Sequence, residues 1–519
     1  MRPGAPAVSK GRPPVSLLRN LLSHKVFTNI LANQSGFLVT VVVSLLLSPF
    51  VVHSLGDARY GIWSLIVSFT GHYGLLAFGL QGSVVRYISH SVALKDYHKA
   101  SGYMSIAFAC LAVTAVLCIG IGYGLSGSVS SFFNFPPPAG DDAGTAFFLV
   151  SLTAAATFLS AVFQCNLFAH QKFALMNGIG VAGTLFRAVM TVILLKAGYG
   201  ILGLALLGLG ISVFLGLLQV WASFRYCNLV SIRLSGLKPS NFRELISFGS
   251  KSFLFTLSST LVYQCDLLVI GRFLSAELIT IYSLAATLVT YLVQCVSVTN
   301  NAMTPHATGI FARDGLDGLS GFYGKTAYLM YMFGGLVFAG CFVLGPSFYQ
   351  LWVGEGYAES GKLLYILLFP QFFATGYGVC HICMSALGTP GWIAVFAFGE
   401  GLLNLILSIL LVRPFGLFGV AAATLIPQIF HRAIIGPAYC SRRLGFGSGT
   451  YLGAVAWGIF IAGIGTGAGL WVSNVLPPET WFRFCINVLA ILLTCGAFAF
   501  TIFRMKQRRP HTATMREVE

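Results

Sequence analysis

Four arginine and carboxylate side chains in this sequence lie well inside long apolar segments, where they could do chemistry. They are Arg187, Asp266, Glu400 and Arg432, and His431 adjoins the last of them. An ionisable group at the depth of a bilayer carries a penalty of ~2.5–3.5 kcal/mol or more, so it usually faces a cavity or an opposite charge. The pattern therefore predicts either a polar passage through a membrane or ion pairs that hold helices together.

Uncharged polar residues recur at helical spacing in the same kind of segment. One stripe has steps of 4, 3, 4, 3 and 4 and consists of Ser283, Thr287, Thr290, Gln294, Ser297 and Asn301. Such a stripe predicts one wet face on a helix, although small and hydroxylated residues also occur where membrane helices pack closely. From the stripes and the buried charges we take the following candidates for substrate binding: Asn33, His72, Arg86, Arg187, Tyr263, Gln294, Asn301, Asn404, Gln428, His431 and Arg432. Asp266 and Glu400 are candidates for carrying a coupling proton or ion.

Motifs for catalysis are missing from the sequence. It contains no phosphate-binding P-loop, no nucleophile–base arrangement or carboxylate pair in a loop, and no zinc-type cluster. Cys380 and Cys383 have a CxxC spacing, but their segment is apolar and no second ligand pair accompanies them, so we interpret them as packed thiols. We therefore expect no enzyme activity, no cofactor and no bound metal.

Composition indicates a membrane protein. Of 519 residues, 56% are hydrophobic and 9% are charged, and the mean hydropathy is +0.82. A soluble domain carries roughly 25% charged residues, and a soluble chain of this size could not bury so much apolar surface. Soluble enzymes, coiled coils and disordered scaffolds are thus excluded. The net charge of +16 lies in short loops between apolar segments, which indicates membrane topology rather than a nucleic-acid surface.

Fourteen segments are long and apolar enough to cross the ~30 Å hydrocarbon core as helices. These predicted spans are residues 29–52, 60–82, 103–125, 145–169, 173–195, 200–224, 248–270, 279–303, 322–345, 363–386, 391–412, 418–440, 451–474 and 482–503. If the N-terminus is cytoplasmic and residues at the ends of spans are counted with the adjoining side, 23 of the 31 Lys and Arg residues fall on the cytoplasmic side and six on the other side. The remaining two, Arg187 and Arg432, lie deeper inside spans. Both termini are therefore expected in the cytoplasm.

The two halves of the first twelve spans resemble each other. Residues 55–65 (LGDARYGIWSL) align with residues 274–284 (LSAELITIYSL) at a shift of 219, and residues 200–205 align with residues 416–421 at a shift of 216. Six spans in each half predict two parallel lobes with the substrate path between them. Spans 1, 2, 7 and 8 carry polar stripes at paired positions, so we expect them to line that path. The expected organisation is a cytoplasmic tail (1–24), an N-lobe (25–224), a cytoplasmic linker (225–247), a C-lobe (248–440), two extra spans (441–503) and a basic cytoplasmic tail (504–519).

The opening of the chain resembles a known family. Residues 29–33, the LGDARYGIWSL segment at 55–65 and residues 85–87 (VRY) are similar to the polysaccharide biosynthesis (oligosaccharide flippase) family of the multidrug/oligosaccharidyl-lipid/polysaccharide exporter superfamily. The resemblance implies an all-α polytopic fold of two six-helix lobes, like that of the MATE exporters, in a bacterial inner membrane. It also implies a flippase for undecaprenyl-diphosphate-linked oligosaccharides. Its expected partners are that lipid, membrane lipids and other polysaccharide-assembly proteins, and not nucleic acid.

The resemblance gives the buried arginines a role. A diphosphate is anionic, so Arg86, Arg187 and Arg432 are candidate partners through charge-assisted hydrogen bonds. Two alternatives stay open at this point: a cation-coupled exporter of drugs or metabolites from the same superfamily, and a membrane glycan polymerase or ligase. The second alternative needs a large outer loop with catalytic Arg or His residues, and the predicted outer loops are short and poor in charge.

Overall fold

The computed structural model describes residues 24–233, 238–389 and 391–507, without the side chains of residues 24–35, 251–252, 301–302 and 502–507. Most of both predicted tails and the side chains of Asn33 and Asn301 therefore lie outside the described residues. Within the described ranges the chain is helical and has no strand. In chain order the α-helices are α1 (His24–Leu55), α2 (Asp57–Tyr73), α3 (Leu80–Ala93), α4 (Tyr97–Ser126), α5 (Val129–Phe132), α6 (Ala143–Ala169), α7 (Phe173–Lys196), α8 (Gly200–Tyr226), α9 (Pro239–Phe273), α10 (Ala276–Trp352), α11 (Ala358–Ala386), α12 (Gly391–Ile429), α13 (Gly436–Leu444), α14 (Ser448–Val475) and α15 (Trp481–Gln507).

Eleven helices of the described chain are long and apolar enough to cross a membrane, or twelve if one bent pair counts as a single span. Two of the eleven far exceed the length that a bilayer needs, since α10 has 77 residues and the stretch from α12 to Leu444 has 54. Each contains a glycine at positive φ that breaks the helix, Gly315 (φ 66°) and Gly416 (φ 58°). These glycines lie between predicted spans 8 and 9 and between predicted spans 11 and 12. The all-helical polytopic class is confirmed, whereas the number fourteen stays a prediction.

The second predicted span, residues 60–82, is bent rather than continuous. Together α2 and α3 qualify as one span, but they are bent by 51° relative to each other. The bend contains Phe78 (φ 44°) and Gly79 (φ 67°), and a left-handed backbone cannot continue a right-handed helix. Gly249 of α9 packs into the bend, because a Cβ on it would lie 2.8 Å from the backbone oxygen of Phe78. A helix from the other half of the chain, α9, thus packs against the bend.

The two halves of the chain also meet where α2 and α10 begin. This contact, called the Asp57 end below, is formed by Asp57, Gly61, Ala276 and Thr280. The Thr280 hydroxyl donates to the backbone oxygen of Asp57 over 2.6 Å. Gly61 lies so close to α10 that a Cβ on it would come within 1.9 Å of the backbone oxygen of Ala276. Behind these contacts, one buried apolar cluster draws on both halves and includes Ile62, Leu65, Ile66, Ile270, Ile279, Leu284 and Tyr349.

The last two helices pack beside the second arm of α10, beyond Gly315. A Cβ on Gly335 would lie 2.2 Å from the backbone oxygen of Gly458 in α14, so these two helices touch backbone to backbone. Cys495 of α15 donates a weak hydrogen bond to the backbone oxygen of Ile461 in α14. Both helices therefore extend the C-terminal half of the bundle.

Candidate functional site

A polar cavity of about 460 Å³ lies between the two halves of the chain, next to the Asp57 end. We call it the central cavity. Its walls come from α1, α2, α9, α10, α11 and α12 and include Ser44, Ser48, Tyr60, Ser64, Ser68, Tyr263, Asp266, Ser283, Thr287, Thr290, Gln371, Thr424 and Gln428. Four of these helices contain predicted spans 1, 2, 7 and 8. Part of each hydroxyl stripe on these spans thus lines the central cavity, and not every residue of a stripe packs against a neighbouring helix.

A second cavity, of about 390 Å³, lies within the C-terminal half. We call it the C-lobe cavity. It is lined by residues of α9 to α12 and of the turn that follows α12, among them Ser258, Ser259, Tyr263, Asn300, Gln371, Tyr377, His381, Glu400, His431 and Arg432. Val262, Tyr263 and Gln371 border both cavities. These three residues therefore form the partition between the cavities.

A buried ion pair occupies one wall of the C-lobe cavity. Arg432 Nη2 lies 2.7 Å from Glu400 Oε1, and His431 Nδ1 is hydrogen-bonded to the other carboxylate oxygen. Arg432 also donates to the Tyr263 hydroxyl over 3.1 Å and to the Gln371 amide oxygen over 3.3 Å. The guanidinium is thus neutralised by one carboxylate and holds the two polar residues of the partition, Tyr263 and Gln371.

The helix that presents His431 and Arg432 is locally irregular. Both residues lie in a π-helical turn, Phe430–Ile435, which follows Pro427. A proline removes one backbone donor from a helix, and single π-helical turns are frequent at functional sites. Two consecutive side chains contact Glu400 from this turn. Because Gly416 separates Glu400 from Arg432 along the chain, the ion pair links the first arm of α12 to the π-helical turn that follows the second arm.

A second buried carboxylate has a different environment. One oxygen of Asp266, Oδ2, accepts hydrogen bonds from the Tyr282 hydroxyl (2.6 Å) and the Thr424 hydroxyl (2.9 Å), and Asn404 donates to Thr424. Asp266 Oδ1, Asn404 Oδ1 and Ser408 Oγ are buried without a hydrogen-bond partner among the described residues. No cation of the described protein pairs with Asp266. An unpaired buried carboxylate is costly unless it takes up a proton or a cation.

Arg187 lies on the inner face of α7. The buried positions Ile179, Gly183, Thr191 and Leu195 precede and follow it at steps of four, so Arg187 stands in the middle of the packed face. Its side chain is nevertheless exposed, and it lines neither the central cavity nor the C-lobe cavity. Among the described residues it has no hydrogen bond, ion pair or ring contact.

The other predicted residues occupy separate positions. His72 Nε2 lies 3.8 Å from Cys265 Sγ, and His72 Nδ1 is buried without a partner among the described residues. The exposed Arg86 stacks its guanidinium over the Phe248 ring at 4.5 Å. Gln294 is exposed on α10 and lines neither cavity. Of the described candidates, the structure thus brings together Tyr263, Glu400, Gln428, His431 and Arg432, and separately Asp266 and Asn404.

Sequence reasoning missed two residues at the centre of the site. Gln371 donates to Gln428 over 2.9 Å and accepts from Arg432, and the Tyr377 hydroxyl lies 3.1 Å from His431 Nε2. Both belong to α11, whose sequence has no polar stripe. The sequence does carry one signal for Gln371, since it is an amide directly after Pro370 in an otherwise apolar segment.

Comparisons with known proteins agree with this architecture. The sequence profile described as "Polysaccharide biosynthesis protein" matches residues 54–360. The "Uncharacterized membrane protein EpsK" of Bacillus subtilis (strain 168) is 24% identical over 489 residues, which cover 91% of this chain and 96% of that protein. The "Putative O-antigen transporter" of Shigella flexneri is 20% identical over 417 residues, which cover 76% of this chain and 93% of that protein.

Solved structures share the fold. The lipid II flippase MurJ in an inward closed conformation superposes with a TM-score of 0.71 at 14% identity and covers 93% of this chain and 100% of its own. An inward-facing multidrug transporter of the MATE family superposes with a TM-score of 0.66 at 16% identity and covers 78% of this chain and 94% of its own. Since the profile matches more than half of the sequence, the chain belongs to the polysaccharide biosynthesis protein family.

Proposed function

We propose that this chain is a flippase that moves an oligosaccharide linked to undecaprenyl diphosphate across a bacterial inner membrane by alternating access. The observation that carries the proposal is the hydroxyl-lined central cavity of about 460 Å³ between the two halves of the bundle. A polar head group can cross a bilayer through such a cavity while its lipid tail stays among the acyl chains. The family, and the O-antigen transporter named among the relatives, support polysaccharide assembly as the setting.

The diphosphate needs cationic partners inside the bundle. Arg187 and the exposed Arg86 are the candidates that the structure favours, because Arg432 already donates to Glu400 at 2.7 Å. Arginine binds phosphate oxygens through a planar, bidentate array of donors. We therefore assign diphosphate binding to Arg187 first and then to Arg86 in α3, which follows the bend after α2.

Energy coupling is assigned to Asp266 rather than to Glu400. Glu400 is held by Arg432 and His431, so both of its oxygens are occupied. Asp266 borders the central cavity and has one buried oxygen without a partner among the described residues. A proton or a monovalent cation that neutralises Asp266 would stabilise one arrangement of α9, α10 and α12 over the other, as coupling requires.

The proposed orientation places both termini in the cytoplasm, in line with the charge distribution of the loops. The Asp57 end then faces the periplasm. The close contacts of Gly61 and Thr280 with the opposite half correspond to a state that is closed on that side. The halves also touch at the cytoplasmic end, where Gly249 packs against the backbone of Phe78, so entry from the cytoplasm would require that contact to open.

Reconstitution tests the proposal. The full chain is placed in liposomes with a fluorescent undecaprenyl-diphosphate oligosaccharide, under an imposed pH or sodium gradient, and dithionite bleaches the outer leaflet. Flipping raises the bleached fraction above that of protein-free liposomes. Cysteines at positions 57 and 280, joined by a bifunctional thiol reagent, should stop flipping, whereas either single cysteine treated alike should not. Bleaching equal to that of protein-free liposomes, together with uptake of a cationic dye by the same preparation, would instead identify an exporter.

A further inference from the structure

We propose that the C-lobe cavity binds an uncharged sugar of the transported head group, and that it has no site for an acidic one. This proposal rests on the flippase function and adds the chemical class of the sugar. At about 390 Å³ the cavity falls within the ~300–1,000 Å³ that small-molecule sites span. It adjoins the central cavity at Tyr263 and Gln371, so one head group can reach both spaces.

The charges of the C-lobe cavity cancel locally. Its one arginine, Arg432, is paired with Glu400 at 2.7 Å, and the guanidinium's other contacts go to Tyr263 and Gln371. An acidic sugar would have to displace Glu400 from this pair or lie beside it as a like charge. Either arrangement leaves a buried charge without its partner, which is strongly destabilising. A neutral sugar disturbs neither residue.

Uncharged hydrogen-bonding groups line the rest of the C-lobe cavity. Asn300 Oδ1 is buried and has no hydrogen-bond partner among the described residues. The Asn300 side chain lies against Gly378, where a Cβ would come within 2.3 Å of its nitrogen. His381 makes no hydrogen bond with the described residues, and it contacts Phe255 at 5.9 Å between ring centres. The amide oxygen and the imidazole therefore have hydrogen-bonding capacity that no described residue uses, so binding a sugar hydroxyl would break no bond within the protein.

Aromatic side chains supply the apolar walls that the faces of a sugar ring require. Tyr263 and Phe255 of α9 and Tyr377 of α11 border the cavity. The Tyr377 hydroxyl is engaged by His431 at 3.1 Å, and the Tyr263 hydroxyl by Arg432. Both rings are thus fixed in place by the cluster around Glu400. A few fixed polar groups among aromatic walls are the composition that orients a small polar ligand.

Saturation-transfer NMR on the full chain in lipid nanodiscs tests the inference. The probes are neutral methyl glycosides of glucose, galactose and N-acetylglucosamine, with methyl glucuronide as the acidic counterpart. At least one neutral glycoside should bind, and Asn300→Leu should weaken its binding by about fivefold through the loss of the amide's hydrogen bonds. Thr501→Leu, an exposed change on α15 that touches neither cavity, is the control and should leave binding unchanged. Ser259→Phe, which fills the C-lobe cavity, is a second variant in case Asn300→Leu fails to fold.

The outcomes separate this proposal from the flippase function. The inference is overturned if methyl glucuronide binds as strongly as the neutral glycosides or more strongly. It is also overturned if Asn300→Leu and Ser259→Phe both leave the binding of the neutral glycosides unchanged. Failure of all three neutral glycosides to bind a preparation that flips lipid-linked oligosaccharide overturns the inference alone. If a neutral glycoside binds in an Asn300-dependent way to a preparation that does not flip lipid-linked oligosaccharide, the sugar site is supported and the flippase function is wrong.

Discussion

Thr280 donates its hydroxyl hydrogen to the backbone oxygen of Asp57 over 2.6 Å, and this contact has a counterpart. Gly61 packs on the backbone oxygen of Ala276. The shift of 219 that aligns the two halves takes Asp57 to Ala276 and Gly61 to Thr280, so it exchanges the two contacts. Reciprocal contacts of this kind are the signature of a two-fold interface. The Asp57 end is therefore where equivalent helices of the two halves meet symmetrically.

Replacing Gly61 by alanine should open the Asp57 end. A Cβ there lies 1.9 Å from a backbone oxygen, whereas ordinary contacts begin at 3.4 Å, so α2 and α10 must separate by more than an ångström. A cysteine introduced at Thr287, in the wall of the central cavity, should then react faster with a membrane-impermeant maleimide. Gly82→Ala is the matched control, because nothing lies within 4 Å of a Cβ at that position. Equal labelling of the two variants would show that this contact does not close the cavity.

Glu400→Gln should destabilise the protein by about 3–5 kcal/mol, because Arg432 is then left as an unpaired buried charge. The double variant Glu400→Leu with Arg432→Met should recover much of the loss, since an apolar pair of similar size often replaces a buried ion pair without penalty. Thermal unfolding in detergent measures both effects. Arg313→Gln, which breaks an exposed ion pair with Asp314, should leave the unfolding midpoint nearly unchanged, because exposed ion pairs contribute little to stability. If Glu400→Gln lowers the midpoint of thermal unfolding no more than Arg313→Gln does, the interpretation of Glu400 and Arg432 as a stabilising buried pair is wrong.

Much of the fold follows from the sequence, because hydrophobic length alone decides which segments cross a bilayer. The helix breaks at Gly315 and Gly416 lie between predicted spans, because the apolar segments end there. The sequence does not indicate the bend at Phe78 and Gly79, since the apolar run continues through it. A left-handed phenylalanine is tolerated there because Gly249 of the other half packs into the bend.

The site was less accessible to sequence reasoning. Arg432 and Glu400 were expected to face either a cargo or an opposite charge, and the structure has them facing each other. Periodicity identifies a polar face but not the partner across the bundle, which depends on how helices separated by 30 or more residues pack. Gln371 was missed for this reason, since it is isolated in its own helix and matters only through its contacts with Arg432 and Gln428.

Asp266→Asn should remove the dependence of flipping on an imposed ion gradient. The amide keeps the shape of the side chain and can still bond to Tyr282 and Thr424, but it no longer gains or loses a charge. Flipping by dithionite assay is compared with and without a pH gradient, and separately with a sodium gradient, to distinguish the coupling ion. Glu400→Gln serves as the comparison and should keep its gradient dependence in whatever fraction folds. If the gradient still drives Asp266→Asn as strongly as the parent chain, Asp266 has no coupling role.

Arg187→Ala should slow flipping by about tenfold or more, because hydrogen bonds to a charged group contribute about 1.5–3 kcal/mol each. Arg187→Lys keeps the charge but loses the planar array of donors, so an intermediate rate is expected. The dithionite assay gives the initial rates, and the proportion of folded protein is matched by size-exclusion chromatography. Arg313→Ala removes an exposed arginine away from both cavities and should leave the rate unchanged. Equal rates for Arg187→Ala and Arg313→Ala would place the diphosphate elsewhere, and Arg86→Ala would then be expected to carry the loss instead.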